Sequence, residues 1–276
     1  LFLINYLYDL YKSAETPFEW QKALFDFAKD ENIILFSSAF DEKAVDLLQK
    51  IDVPAYKIAS FEITDLPLVK YIALTGKPIL LSTGMSSENE IAMALDVIKS
   101  VGNNNILLFH CISSYPANLK DSNLTMIKTL QNLFNLPVGL SDHTIGNQAA
   151  IIATALGACA IEKHYTLSRK DKGPDSSFSI EPDELRKLTQ DIESTWKAMG
   201  NGNFERAASE KDNKVFRRSI YFVKGLKSGD VINKTNIRRI RPGFAMDPKD
   251  FDSLLGRKIK KNVDVGDRVT WDVIDK

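Results

Sequence analysis

Cysteine is scarce in this sequence, with 2 residues among 276, Cys111 and Cys159. Both sit inside apolar, strand-like runs, so they read as reduced core thiols and supply no disulfide framework. Long hydrophobic runs are missing too. No apolar stretch approaches the roughly 18 residues of a membrane span, and Asn5 and Asp9 interrupt the first ten residues, which excludes a spanning helix and a cleavable leader there. A cytoplasmic protein is the expectation. Net charge is zero, with 36 Lys and Arg against 36 Asp and Glu. That balance hides an asymmetry: from Arg217 onward 15 basic residues face 8 acidic ones, so the last part carries +7 and the preceding residues −7. A basic module suits an anion or an acidic neighbour. Without interleaved aromatics or a nucleic-acid motif, neither nucleic acid nor membrane is expected as a partner.

What is present is a chain of 44% apolar residues, enough for one sizeable core and a second small domain. From Ile33 to Thr166 one theme repeats: a short apolar or β-branched run, a polar turn, then a stretch with helical periodicity. The runs are Ile33–Phe40, Ala55–Ser60, Pro78–Gly84, Ile106–Ser113, Pro137–His143 and Ala158–Thr166. Between them, Ser87–Val101 places Ile91, Ala94, Leu95 and Ile98 on one stripe, and Asn147–Leu156 reads as another helix. Strands apolar on both faces need helices on both sides or outside a closed ring.

The strand ends favour the ring. Ser38, then Lys57 with Ser60 and Glu62, Ser82, Ser113 with Tyr115, Ser141 with His143, and His164 each close a run with a polar group. A doubly wound sheet gathers its site at one switch point, whereas a (β/α)8 barrel collects it from many strand ends. Six runs do not close an eight-stranded ring, and Thr16–Asp30 opens on a helix with Thr16 as N-cap and Pro17 in its first turn. The expectation is therefore a TIM barrel over residues 1–200 without its first two β/α units. A linker over 201–216 and a small β-rich domain over 217–276 follow, marked by Gly200-Asn201-Gly202-Asn203 and then Lys227-Ser228-Gly229-Asp230.

Two motifs carry chemistry. Ser141-Asp142-His143-Thr144 and Glu162-Lys163-His164-Tyr165 end the last two strands, and alternation puts Ser141 with His143, and Glu162 with His164, on one face each. Two imidazoles at neighbouring strand ends suit a divalent metal acting as a Lewis acid; each alone suits a hydrogen-bonded structural role. His110, inside a strand, reads as structural. Lys57 with Ser60, Ser82, Ser113 and Ser141 forms a donor-rich crescent suited to phosphate or carboxylate, although any single serine also serves as a strand end or helix cap. An unpaired buried ammonium is costly, so Lys57 calls for an anion. Asp175 in Gly173-Pro174-Asp175 offers a loop carboxylate for a sugar hydroxyl, or only a turn residue, and Arg241-Pro242-Gly243 presents a guanidinium fork on a rigid turn.

Leu7-Tyr8-Asp9-Leu10-Tyr11, Thr16 to Trp20, Tyr56 to Glu62, Leu81 to Met85, Gly139 to Thr144, Glu162 to Thr166 and Gly173 to Asp175 resemble the sialic acid synthase family. Arg217-Arg218-Ser219 and Arg241-Pro242-Gly243 resemble the antifreeze-like domain attached to these enzymes. Leu7 to Tyr11, Thr16 to Trp20 and Ser60-Phe61-Glu62 point within the family to the pseudaminic acid branch, with neuraminate and legionaminate synthesis as alternatives. The resemblance implies a transferase that condenses phosphoenolpyruvate with 2,4-diacetamido-2,4,6-trideoxy-altrose and water to give pseudaminate and phosphate. It implies His143 and His164 as ligands of manganese, or of magnesium or cobalt, and Lys57, Ser60, Ser82, Ser113 and Ser141 as phosphoenolpyruvate contacts. It further implies Glu62, Tyr115, Asp175 and Arg241 as sugar contacts, with Arg241 supplied across a domain-swapped homodimer and Glu62 and Lys57 as catalytic groups. The reading from another class is a non-catalytic protein, a partial barrel holding an anion or carbohydrate.

Overall fold

The computed structural model describes residues 8–12, 14–171 and 173–275; Asn5 and Leu7, on which part of the reading of the first ten residues rested, lie outside them. The chain forms two compact units, Leu1–Asn201 and Gly202–Lys276. The first is α/β. Helix α1 (Phe18–Asp30) precedes β1 (Ser37–Ser38), α2 (Glu42–Lys50), β2 (Tyr56–Ile58), α3 (Leu66–Ala73), β3 (Ile79–Ser82), α4 (Glu88–Ser100) and β4 (Ile106–Cys111). Then come α5 (Met126–Phe134), β5 (Val138–Asp142), α6 (Gln148–Ala155), β6 (Ile161–Lys163) and α7 (Pro182–Met199).

All pairings from β1 to β6 are parallel, and the spatial order is the chain order. A sheet that never reverses its order has no switch point, which is the winding of a barrel and not of a doubly wound sheet. The sheet is also curled. On a flat sheet β2 and β6 would stand about 19 Å apart, four strand spacings, yet Lys57 on β2 and Glu162 on β6 meet at 2.8 Å. Among the described residues, β1 and β6 pair with no further strand on their outer sides.

The core lies between strands and helices. Tyr56, Ile58, Ile79, Leu81, Leu108, Val138 and Leu140 are buried on the strands, and the expected α4 stripe of Ile91, Ala94, Leu95 and Ile98 is buried against them. Each such side chain contributes about 1.5–3 kcal/mol on leaving water. Local signals start the helices: Ser87 accepts from the Glu90 N–H while the Glu90 carboxylate accepts from the Ser87 N–H, a capping box, and Asp65 caps α3 through Leu68 N–H. By contrast α1 buries only Ala28, and Phe18, Trp20, Phe27, Ile33 and Ile34 are exposed.

Three expectations need correction. Thr16 is not the N-cap of α1; Pro17 holds that place with no side-chain cap, its ψ of 135° keeping it out of the helix although its φ of −53° is helical, so the helix begins at Phe18. Every strand but β4 starts later than its apolar run, since only the middle of each run pairs. For that reason Cys159 falls in the turn before β6 and is exposed, while Cys111 on β4 is buried.

The second unit pairs β7 (Ser219–Phe222) antiparallel with β8 (Ile237–Ile240) and adds the short α8 (Phe251–Leu254). Its own core holds Ile220, Phe222, Ile232, Ile237, Leu254 and Val269. Residues 202–216, expected as a linker, cluster with this unit and form single 3-10 turns at Ala208–Glu210 and Asp212–Phe216.

Candidate active site

The carboxyl ends of the strands in the first unit surround a cavity of about 360 Å³, lined by Lys57, Ser60, Ser82, Tyr115, Ser141, His143, Glu162 and His164 and, at β1, by Phe36, Ser37 and Ser38. Register places them. Ser38 pairs with Lys57, and Ser141 pairs with Glu162. The Lys57 ammonium donates to Glu162 Oε1 at 2.8 Å, and the Ser141 hydroxyl donates to the same oxygen at 2.7 Å. One carboxylate therefore collects two donors that the sequence had marked for an anion. The Ser82 hydroxyl, in a residue 2% exposed, has no hydrogen-bond partner among the described residues although it lines the cavity. A buried hydroxyl without a partner is costly, and a ligand oxygen would satisfy it.

Gly84 makes this packing feasible. A Cβ there would lie 2.6 Å from Cys111 Sγ and 2.7 Å from Ser60 Oγ, while its bare N–H donates to Ser60 Oγ at 3.2 Å. Ser113 belongs to the same cluster, its hydroxyl 4.0 Å from Cys111 Sγ and the nearest atom to a Cβ on Gly84, and it is not among the residues that line the cavity.

The two histidines stand side by side, ring centroids 5.2 Å apart. His143 Nδ1 is 2.8 Å from the Ile112 carbonyl. A carbonyl only accepts, so Nδ1 carries the proton and Nε2 keeps a lone pair. Burial pushes this imidazole below its ordinary value, against the pull of that carbonyl, and nearby His164 adds to the depression. His164 Nδ1 lies 3.2 Å from Asp175 Oδ2. Each ring thus has its Nδ1 engaged by an oxygen acceptor, the arrangement that orients imidazoles for metal binding through Nε2. The described residues contain no cluster of three or more His, Cys, Asp or Glu able to hold a metal; a cation on these rings would complete its shell from water and ligand. Tyr115 covers the pair, its ring 4.4 Å from that of His143, and burial raises its hydroxyl above the usual value.

Of the remaining expected site residues, Asp175 meets the site at His164, and its charge also acts on the Tyr115 hydroxyl. Glu62 does not line the cavity; its Oε2 is buried without a partner among the described residues, and burial raises its carboxyl above the ordinary range, with the Lys57 charge pulling the other way. Arg241 follows β8 and belongs to the second unit. Sequence reasoning missed Glu162 as the shared acceptor and Phe178, whose ring lies 5.1 Å from that of His164. The alternation of Glu162 with His164 was visible, but its meeting with Lys57 depends on the curl of the sheet.

A singly wound α/β unit whose strand ends converge on a cavity bearing hydroxyls, an ammonium, a carboxylate and two imidazoles is the layout of a barrel enzyme. The chain belongs to the NeuB family, which its residues 4–204 match. It is 39% identical over 261 residues to the pseudaminic acid synthase of Campylobacter jejuni, covering 95% of this chain and 76% of that one. It is likewise 39% identical over 254 residues to the N,N'-diacetyllegionaminic acid synthase of the same species, covering 91% of this chain and 76% of that one. Among solved structures it resembles the N-acetylneuraminic acid synthetase of Leptospira borgpetersenii, with a TM-score of 0.71 and 38% identity over 74% of this chain and 72% of that one. No helix among the described residues is long and apolar enough to cross a membrane.

Proposed function

We propose that the chain is the catalytic body of a pseudaminic acid synthase, joining phosphoenolpyruvate to 2,4-diacetamido-2,4,6-trideoxy-altrose and water to give pseudaminate and phosphate. The observation that carries this reading is the convergence of Lys57, Ser141 and the unpartnered Ser82 beside two imidazoles whose Nδ1 atoms are both engaged. Relatives named for pseudaminic acid synthesis match nearly the whole chain, and Phe61 stands between Ser60 and Glu62 as in that branch.

In this reading Lys57 and the hydroxyls of Ser60, Ser82 and Ser141, which line the cavity, hold the phosphate and carboxylate of phosphoenolpyruvate, with Ser113 linked to Ser60 through Cys111 Sγ. Tyr115, Asp175 and Arg241 hold the sugar, Arg241 coming from a partner subunit in a swapped dimer. His143 and His164 fit a divalent cation, most simply manganese, through Nε2. When bound, such a cation polarises the sugar aldehyde oxygen as a Lewis acid. The enol carbon then attacks the aldehyde carbon, and water adds to the phosphate-bearing carbon before phosphate leaves. Glu62, which stands outside the cavity lining with its carboxyl raised by burial, is the candidate to take the proton of that water, which requires it to turn toward the cavity when the substrates bind. The first unit is read as six strands of an eight-stranded barrel, which the unpaired outer sides of β1 and β6 support; the second is read as the antifreeze-like domain.

The test is phosphate release with Mn2+ and each of three sugars: the diacetamido-altrose, the legionaminate precursor and N-acetylmannosamine. Turnover of the first alone is the expected result. Turnover only of another sugar replaces the branch assignment, and binding of phosphoenolpyruvate without phosphate release favours the non-catalytic reading.

A further inference from the structure

Behind the two histidines, on the opposite face of the strands, lies a buried ion pair that the chemistry above does not use. β5 and β6 pair Asp142 with Lys163. Because strand side chains alternate, these two point away from the cavity wherever Ser141, His143, Glu162 and His164 point toward it. Their side chains are 1% and 6% exposed, and Lys163 Nζ donates to Asp142 Oδ2 at 2.7 Å. Lys163 also donates to the Thr144 carbonyl at 2.6 Å. The other Asp142 oxygen accepts from the Thr144 N–H at 2.8 Å and from its hydroxyl at 2.7 Å.

The network ties the residue after His143 to the residue before His164. The backbone of His143 is anchored on its other side as well, its carbonyl accepting from Ala117 N–H at 2.9 Å. A buried ion pair adds little net stability compared with apolar side chains of similar volume, because desolvation offsets the attraction. Its use at this place is therefore better sought in geometry. We infer that Asp142 and Lys163 are positioning residues: they set the separation and orientation of the His143 and His164 rings, and so the site those rings form.

Selective 15N labelling of histidine reads this directly, since the chain contains 3 histidines and His110, held by the Ser122 carbonyl at 2.8 Å, serves as an internal reference. The decisive variant is Asp142→Leu with Lys163→Met in the full chain, which keeps the volume and removes the charges. The expected result is a melting temperature close to that of the unchanged protein, a His110 signal that stays, His143 and His164 signals that move, and Mn2+ affinity at least tenfold weaker. Unmoved His143 and His164 signals in a folded double variant overturn the proposal. If the double variant fails to fold, Thr144→Val, which removes one hydroxyl bond to Asp142, is read in the same way, with moved ring signals expected and unmoved ones contrary. The affinity measurement rests on the metal reading above, whereas the ring signals of metal-free protein do not. An unchanged protein that takes up no Mn2+ thus counts against that reading alone.

Discussion

The two ends of the same strands are built from different materials. At the amino ends Tyr56, Ile79, Ile106 and Val138 are buried among apolar neighbours. At the carboxyl ends Lys57, Ser60, Ser82, Ser141, Asp142 and His143 are buried instead. Burial of polar groups costs free energy unless each finds a partner, so the first half of each strand stabilises the sheet while the second half uses part of that stability to hold donors around a cavity. The contrast separates what a substitution should do at each end: loss of ligand and turnover at one, loss of folding at the other.

The largest effect is expected at the carboxyl end. Lys57→Met should lower kcat/KM by on the order of 10²–10³-fold while the melting curve moves little, because the freed Glu162 is still held by Ser141 and, with a side chain 34% exposed, still reaches water. Steady-state kinetics beside a thermal melt checks this; a collapse of the fold would break the comparison. Ile79→Ala and Leu81→Ala, at fully buried positions on the core side of β3 and the first of them at its amino end, should do the reverse, costing about 2–5 kcal/mol of stability each and leaving KM for phosphoenolpyruvate unchanged in the folded fraction. Denaturant titration and initial rates at low temperature decide it.

Gly84→Ala falls between. Its new Cβ would crowd Cys111 Sγ and Ser60 Oγ, at about 1–3 kcal/mol for overpacking, and it should also raise KM by displacing the Ser60 hydroxyl. A stability loss without any change in KM would assign Gly84 to packing alone.

The smallest effect concerns pH. The Glu62 carboxyl is raised in the folded protein, chiefly by burial, so the folded state binds its proton more tightly than the unfolded chain does. Glu62 therefore costs stability as pH rises through its elevated value and costs none below the ordinary carboxylate range. Glu62→Gln should melt higher than the unchanged protein near neutral pH, with the gap closing on acidification. A base with a raised value also moves the acid limb of the kcat profile upward. A gap that widens on acidification would contradict the direction of the shift.

The β/α alternation, the α4 stripe and the polar strand ends were legible in the sequence because each depends on a local period or a single residue type. What was not legible depends on curvature. Lys57 and Glu162 lie far apart in sequence and four strands apart in the sheet, and no periodicity predicts that they share a hydrogen bond. Ser113 could be placed at a strand end by pattern, yet its packing with Cys111 and Ser60 against Gly84 depends on how closely neighbouring strand ends approach. Cys159 reads as a core thiol because it lies in an apolar run, whereas β6 begins only at Ile161 and the Cys159 side chain is exposed although its N–H already donates to the Val138 carbonyl on β5.

The central claim is that the carboxyl-end cluster is an anion site organised by Lys57. Calorimetric titration of phosphoenolpyruvate into the unchanged chain, Lys57→Met and Leu81→Ala at a temperature where all are folded tests it most directly. Binding to the first and third with loss of at least tenfold in the second is the predicted result; equal binding by the unchanged chain and Lys57→Met would contradict it.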